Sequence, residues 1–84
     1  MAIQRLDIYY LIHHVAGVTT IFEVSDEDLA GDPSYFGYVN EDGGWIIQQR
    51  NAASGTYRYY KGSSGYTSAW TGRAGLSYTY WNLI

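Results

Sequence analysis

The sequence predicts a mostly β fold, all-β or α+β: a small antiparallel sheet of about five strands with a short acidic helical insert near 26–39. Three observations carry that expectation. Apolar and polar residues alternate with period two over several stretches. Glycine-containing clusters punctuate those stretches at short intervals, as hairpin turns do. The chain has 84 residues and no cysteine, so it forms one domain, 1–84, stabilised by its own side chains and not by disulfides.

The elements follow in order. Residues 4–15 alternate, with Leu6, Ile8, Tyr10, Ile12 and His14 on one face and Arg5, Asp7, Tyr9, Leu11 and His13 on the other. Neither face is fully polar, so this strand is central or covered by a partner. Ala16-Gly17 turns the chain, and the β-branched run from Val18 to Ser25 completes a hairpin. Ser25-Asp26-Glu27-Asp28 reads as a helix start, with Ser25 as the cap and acids at the positive end of the dipole. Gly31 and Asp32-Pro33 keep any helix to one or two turns, and Asp32 can cap a second turn through Tyr35, Phe36 and Tyr38.

Glu41-Asp42-Gly43-Gly44 is a turn, and the strand Trp45–Asn51 follows. Ala52-Ala53-Ser54-Gly55 turns again into a strand over 56–61. Gly62-Ser63-Ser64-Gly65 is a loop, and 66–75 is a loop or single turn anchored by Trp70. Residues 76–83 alternate once more and read as a C-terminal strand. Strands in series joined by tight turns point to a meander or small sandwich.

Composition narrows function. Of fifteen aromatics, ten are Tyr and three Trp, residues that suit surfaces apolar on one side and wet on the other. Five short strands cannot readily bury them all, so the sheet is expected to pack against copies of itself, with Trp45 and Trp70 as core. Charge is divided along the chain. All eight acids lie in residues 1–42 against one base, Arg5, giving -7; Arg50, Arg58, Lys61 and Arg73 face no acid in 43–84, giving +4; together these make the net -3. Such a chain can pair heads with tails between subunits, unless the halves interleave in the fold.

Chemistry is sparse. No cysteine excludes thiolate zinc sites, iron–sulfur clusters and thiol nucleophiles. His13 and His14, adjacent on a strand, point to opposite faces and cannot chelate one metal. Asp26, Asp28 and Gly31 fit a calcium loop only until its fifth and twelfth positions, Ala30 and Gly37, which supply no side-chain ligand. A weak cation site using Asp26, Asp28 and Asp32 is the residual alternative to a solvated helix start. Gly62-x-x-Gly65 and Gly72-x-x-Gly75 lack the Lys-Ser/Thr and strand–helix context of a phosphate loop. Ser, His and Asp occur without a spacing that marks a triad. No catalytic residue, metal site or cofactor is expected, and the chain reads as non-enzymatic. No signal peptide is evident in Met1-Ala2-Ile3-Gln4-Arg5, and no window reaches 18 consecutive apolar residues, so neither secretion nor a membrane partner is expected.

The candidate contact residues are Tyr57, Arg58, Tyr59, Tyr60, Trp70, Arg73, Tyr78, Tyr80 and Trp81. Interface hot spots favour Trp, Tyr and Arg. The interleaving of Arg50, Tyr57, Arg58, Tyr59, Tyr60 and Lys61 also suits stacking on sugar rings, with Gln48, Gln49 and Asn51 as hydrogen-bonding groups. Nucleic acid is the weaker partner, because four bases give little electrostatic drive.

From residue 37 onward the order Trp45-Ile46-Ile47, Gly55-Thr56-Tyr57-Arg58-Tyr59-Tyr60, Gly62, Gly65-Tyr66, Ala69-Trp70, Arg73 and Leu76-Ser77-Tyr78-x-Tyr80 resembles small proteins of tailed bacteriophages encoded among virion structural genes. The resemblance implies a virion component, made in the host cytoplasm: a head decoration, neck or tail protein used in many copies. Its partners would be itself, as a homo-oligomer, and other virion proteins. A glycan-binding module for host adsorption is the alternative.

Overall fold

A computed structural model describes residues 10–15 and 17–84. Five antiparallel strands, β1 (Tyr10–Val15), β2 (Val18–Asp28), β3 (Ser34–Val39), β4 (Trp45–Asn51) and β5 (Thr56–Gly62), form one sheet in the order β1-β2-β3-β4-β5. A six-residue helix, α1 (Tyr66–Thr71), and 3-10 turns at Arg73–Gly75 and Trp81–Leu83 follow. The meander matches the predicted class. Of the strand expected at 4–15, residues 4–9 lie outside the described residues, and the rest is β1.

Two elements differ from expectation. The acidic helical insert near 26–39 is strand: β2 runs on to Asp28 and β3 fills 34–39. The reason is a bulge. Val24 pairs with Tyr38 and Asp26 with Gly37, which leaves Ser25 as an extra residue between them. The bulge turns Asp26 and Asp28 to the face opposite Phe22 and Val24. There they find distant partners: the Tyr66 hydroxyl donates to Asp26 at 2.7 Å, and Arg73 Nη2 to Asp28 at 2.6 Å. Asp32 caps no helix either; its carboxylate accepts from the Ala52 and Ala53 N–H groups at 2.7 and 3.1 Å, tying two turns together. With all three acids engaged separately, the weak cation site of Asp26, Asp28 and Asp32 does not assemble.

The second difference is the C-terminus. Residues 76–83 do not form a strand of the sheet. They touch β5 at one bridge, where Tyr59 and Thr79 exchange N–H···O bonds of 2.7 and 2.9 Å, and then tighten into the last 3-10 turn. Leu76 and Tyr78 pack on one face of the sheet, Trp81 and Ile84 on the other. The tail therefore rounds the β5 edge and shields it, a service an edge strand needs.

The sheet is curled. Five strands laid flat would place β1 and β5 about 19 Å apart, yet Lys61 Nζ on β5 lies 3.3 Å from His13 Nδ1 on β1. The concave face holds Phe22, Tyr38 and Ile46, joined by Leu11, Phe36, Tyr59, Trp81 and Ile84. The convex face holds Tyr35, Trp45 and Ile47 under Tyr66, Ala69, Trp70, Leu76 and Tyr78. α1 is short, and its residues at i, i+3 and i+4 all face the sheet, so tertiary packing rather than propensity holds it. Two glycines make room for this cover. Gly37 lies under Tyr66 and Trp70, and Gly62 lies against the Trp45 indole, which stacks on Tyr60 at 5.8 Å and donates to the Ser64 carbonyl at 2.7 Å.

His13 is buried at 4% exposure, edge-on to Trp81 at 4.9 Å. The Lys61 ammonium donates to Nδ1, which requires a neutral ring. Burial first, then the Lys61 and His14 charges, hold the His13 pKa below its ordinary value. In the unfolded chain His13 titrates at about 6.5. Between that value and the lower folded one the unfolded state binds more protons, so this contribution is full above about pH 6.5 and is lost as pH falls through the folded pKa. Thermal melts from about pH 5 to pH 7 should show the slope in wild type and a flatter one in His13→Phe. Equal slopes in the two proteins would refute the assignment.

Candidate functional site

The nine contact candidates do not share one face. Tyr60, Trp70, Arg73 and Tyr78 belong to the convex cover, and Tyr57, Tyr59 and Trp81 lie on the concave side. Arg58 and Tyr80 meet near the β5 edge, the guanidinium 4.3 Å from the ring centre.

Arg73 is a structural hub. It pairs with Asp28, donates from Nη1 to the Trp70 carbonyl at 2.7 Å and lies 4.4 Å over the Trp70 ring. The Tyr78 hydroxyl donates to the Arg73 carbonyl at 2.8 Å. The Arg73 hydrogen bonds, then the Ala30 N–H, hold the Asp28 carboxyl below its ordinary range. Burial raises Tyr78, and burial followed by the bond to Asp26 raises Tyr66, so both hydroxyls stay protonated donors. The Asp28–Arg73 pair also joins the acidic and basic halves of the chain within one molecule.

Among the described residues, exposed apolar side chains lie at Leu29 and Tyr57 on the concave side and in two further patches. The first lies on the β1–β2 hairpin, beyond the reach of α1. Ile12 and Ile21 are cross-strand partners with 53% and 58% of their surface exposed. Tyr10 is exposed beside them, opposite Glu23. Val18 and Ile21 line a depression shared with Glu23, Glu41 and Asp42, so this patch is rimmed by acids. The second patch lies at β5 and the tail, where Tyr80 and Leu83 are exposed. Arg58 covers Tyr80, and Lys61 lines a depression with Leu83, so this patch carries bases. The charge division seen along the sequence thus survives in part: Asp28 pairs with Arg73 and Glu27 shares a cleft with Arg50, whereas Glu23, Glu41 and Asp42 stand apart from Arg58 and Lys61.

Of these residues the sequence points to Arg58 and Tyr80 as contacts and to Lys61 as part of the interleaved run. Ile12, Val18 and Ile21 were missed because an apolar residue on a strand reads as core. The available signal was that both faces of 4–15 are partly apolar. Gln48, Gln49 and Asn51 are also separated: Gln48 lies on the concave face and donates to the Tyr59 hydroxyl at 3.1 Å, whereas Asn51 Nδ2 donates to Gln49 Oε1 at 3.3 Å on the convex face.

Among the described residues no helix is long and apolar enough to cross a membrane. No protein-family model, curated protein or solved structure matches the chain.

Proposed function

We propose that this chain is a non-enzymatic structural subunit of a bacteriophage virion, a head decoration, neck or tail component, that assembles head to tail with copies of itself. The observation that carries the reading is the pair of exposed apolar patches of opposite charge. The acid-rimmed Ile12–Ile21 patch of one copy is complementary to the base-bearing Tyr80–Leu83 patch of the next. Because the two patches differ, the contact is heterologous, and such contacts generate rings when the rotation closes and filaments when it does not. The phage resemblance of residues 37–84 supports the virion setting, where rings and repeated arrays are the working form.

Lysine at Ile12 or Ile21 places an unpaired charge in the contact and leaves both cores untouched. Sedimentation of Ile12→Lys and Ile21→Lys should show assembly weakened about tenfold or more, with melting temperatures close to wild type. Assembly should also weaken with added salt, because the rim charges attract across the contact. Wild-type assembly in both variants would contradict the proposed patch.

A further inference from the structure

We infer that the open end of the concave face is a binding site for an uncharged saccharide. The curl of the sheet and the tail divide this face in two. Trp81 and Ile84 plug one end against Phe22, Tyr38 and Ile46. At the other end a cleft of about 720 Å³ stays open, within the size range of small-molecule sites, about 300–1,000 Å³.

The register defines its floor. Glu27 pairs with Phe36, Phe36 with Gln48, and Gln48 with Tyr59, a single row across four strands. Arg50 and Tyr57, partners on β4 and β5, form the next row outward. Leu29 closes the β2 side. The row exists because of the Ser25 bulge. Without it Glu27 would face the convex side and one of its neighbouring aspartates would enter the cleft.

The lining selects the ligand. Phe36, Tyr57 and Tyr59 offer aromatic surface whose electron-rich faces suit the C–H face of a pyranose ring. Glu27, Gln48 and Arg50 offer acceptors and donors of the kinds that bind hydroxyls in pairs. An apolar ligand would desolvate those three polar groups without replacing their water. Among the described residues of the lining, Glu27 and Arg50 are the charged ones, one acid and one base, so together they favour neither anion nor cation. A neutral, hydroxyl-rich ring meets all of these conditions.

The Ile12–Ile21 pair lies on the convex face, away from this cleft, so a change at that pair alters assembly without touching the saccharide site. The test uses the full chain, followed by amide NMR, titrated with methyl glucosides, methyl galactosides, N-acetylglucosamine and their 1,4-linked disaccharides. The expected result is saturable shifts confined to residues around Phe36, Gln48 and Tyr57 with at least one sugar. Affinity should fall about tenfold in Tyr57→Ala and measurably in Arg50→Ala; both side chains are exposed, so the fold is kept. Ile12→Lys should bind the sugar as wild type does. The proposal is overturned if no sugar gives saturable shifts, if the shifts fall elsewhere, if Tyr57→Ala and Arg50→Ala leave affinity unchanged, or if p-cresol binds the cleft and no sugar does.

Discussion

Replacing Trp81 with alanine is expected to destabilise the folded subunit by about 3 kcal/mol, toward the lower end of the range for large aromatic truncations because the side chain is only partly buried. The indole closes one end of the curled sheet. It meets His13 and Tyr59 edge-on, each at 4.9 Å, and belongs to the cluster of Phe22, Tyr38 and Ile46. Its removal opens a cavity between β1 and β5, the two strands that the curl brings together, and hydrates His13. A domain of this size holds about 4–13 kcal/mol in all, so the loss is a large share. Urea unfolding measures it. Trp81 was among the residues that the sequence offered for contact between subunits, and the experiment separates the two roles. A plug residue lowers the unfolding midpoint at every protein concentration. An unchanged midpoint with reduced assembly would make Trp81 an interface residue and contradict its place in the concave core.

Gly37→Ala is expected to cost about 3 kcal/mol by a different route. A Cβ at this position would overlap the Tyr66 hydroxyl and would lie 2.9 Å from Tyr66 Cζ and 3.0 Å from Trp70 Cε3. Gly37 is on the central strand, between Asp26 and Ile47 in register, so the backbone cannot retreat. Instead α1 must lift, with an overpacking cost of about 1–3 kcal/mol and loss of the Tyr66–Asp26 hydrogen bond, worth about 1.5–3 kcal/mol when the acceptor is charged. A double-mutant cycle checks the mechanism. Tyr66→Phe should destabilise wild type but be neutral or stabilising in the Gly37→Ala background, because it removes the atom that clashes. Simple additivity of the two changes would contradict the close approach.

How much of this was legible in the sequence depended on whether the determining contact was local. β4 and β5 were readable because alternation and the Ala52–Gly55 turn fix a hairpin without outside help. β3 was not. It is the central strand, buried on both faces, so Tyr35, Phe36, Tyr38 and Val39 show no polar alternation. The helix-like acids before it are held in strand by Tyr66 and Arg73, some forty residues away in sequence. A bulge of one residue decides which face those acids take, and nothing in Val24-Ser25-Asp26 announces it. The C-terminal alternation was real, but it describes a strap rounding an edge: Tyr78 serves the convex core and Trp81 the concave one.

The candidate surfaces were legible in part for the same reason. The count of aromatics said that one sheet face could not bury them. The folded chain answers by covering both faces with its own tail, which assigns Tyr60, Trp70, Arg73 and Tyr78 to internal contacts. What stays exposed is set by where α1 stops, short of the Ile12–Ile21 pair, and that is a property of the tertiary arrangement. The charge division was fully visible in the sequence. Its consequence, two apolar patches of opposite sign, needed the fold.

The most direct test of head-to-tail assembly is the mass of the purified wild-type chain by light scattering across a concentration series. Closed rings or lengthening filaments, with a mass that rises with concentration and falls with salt, are the predicted result. A 9.5 kDa monomer at every concentration and salt would contradict it.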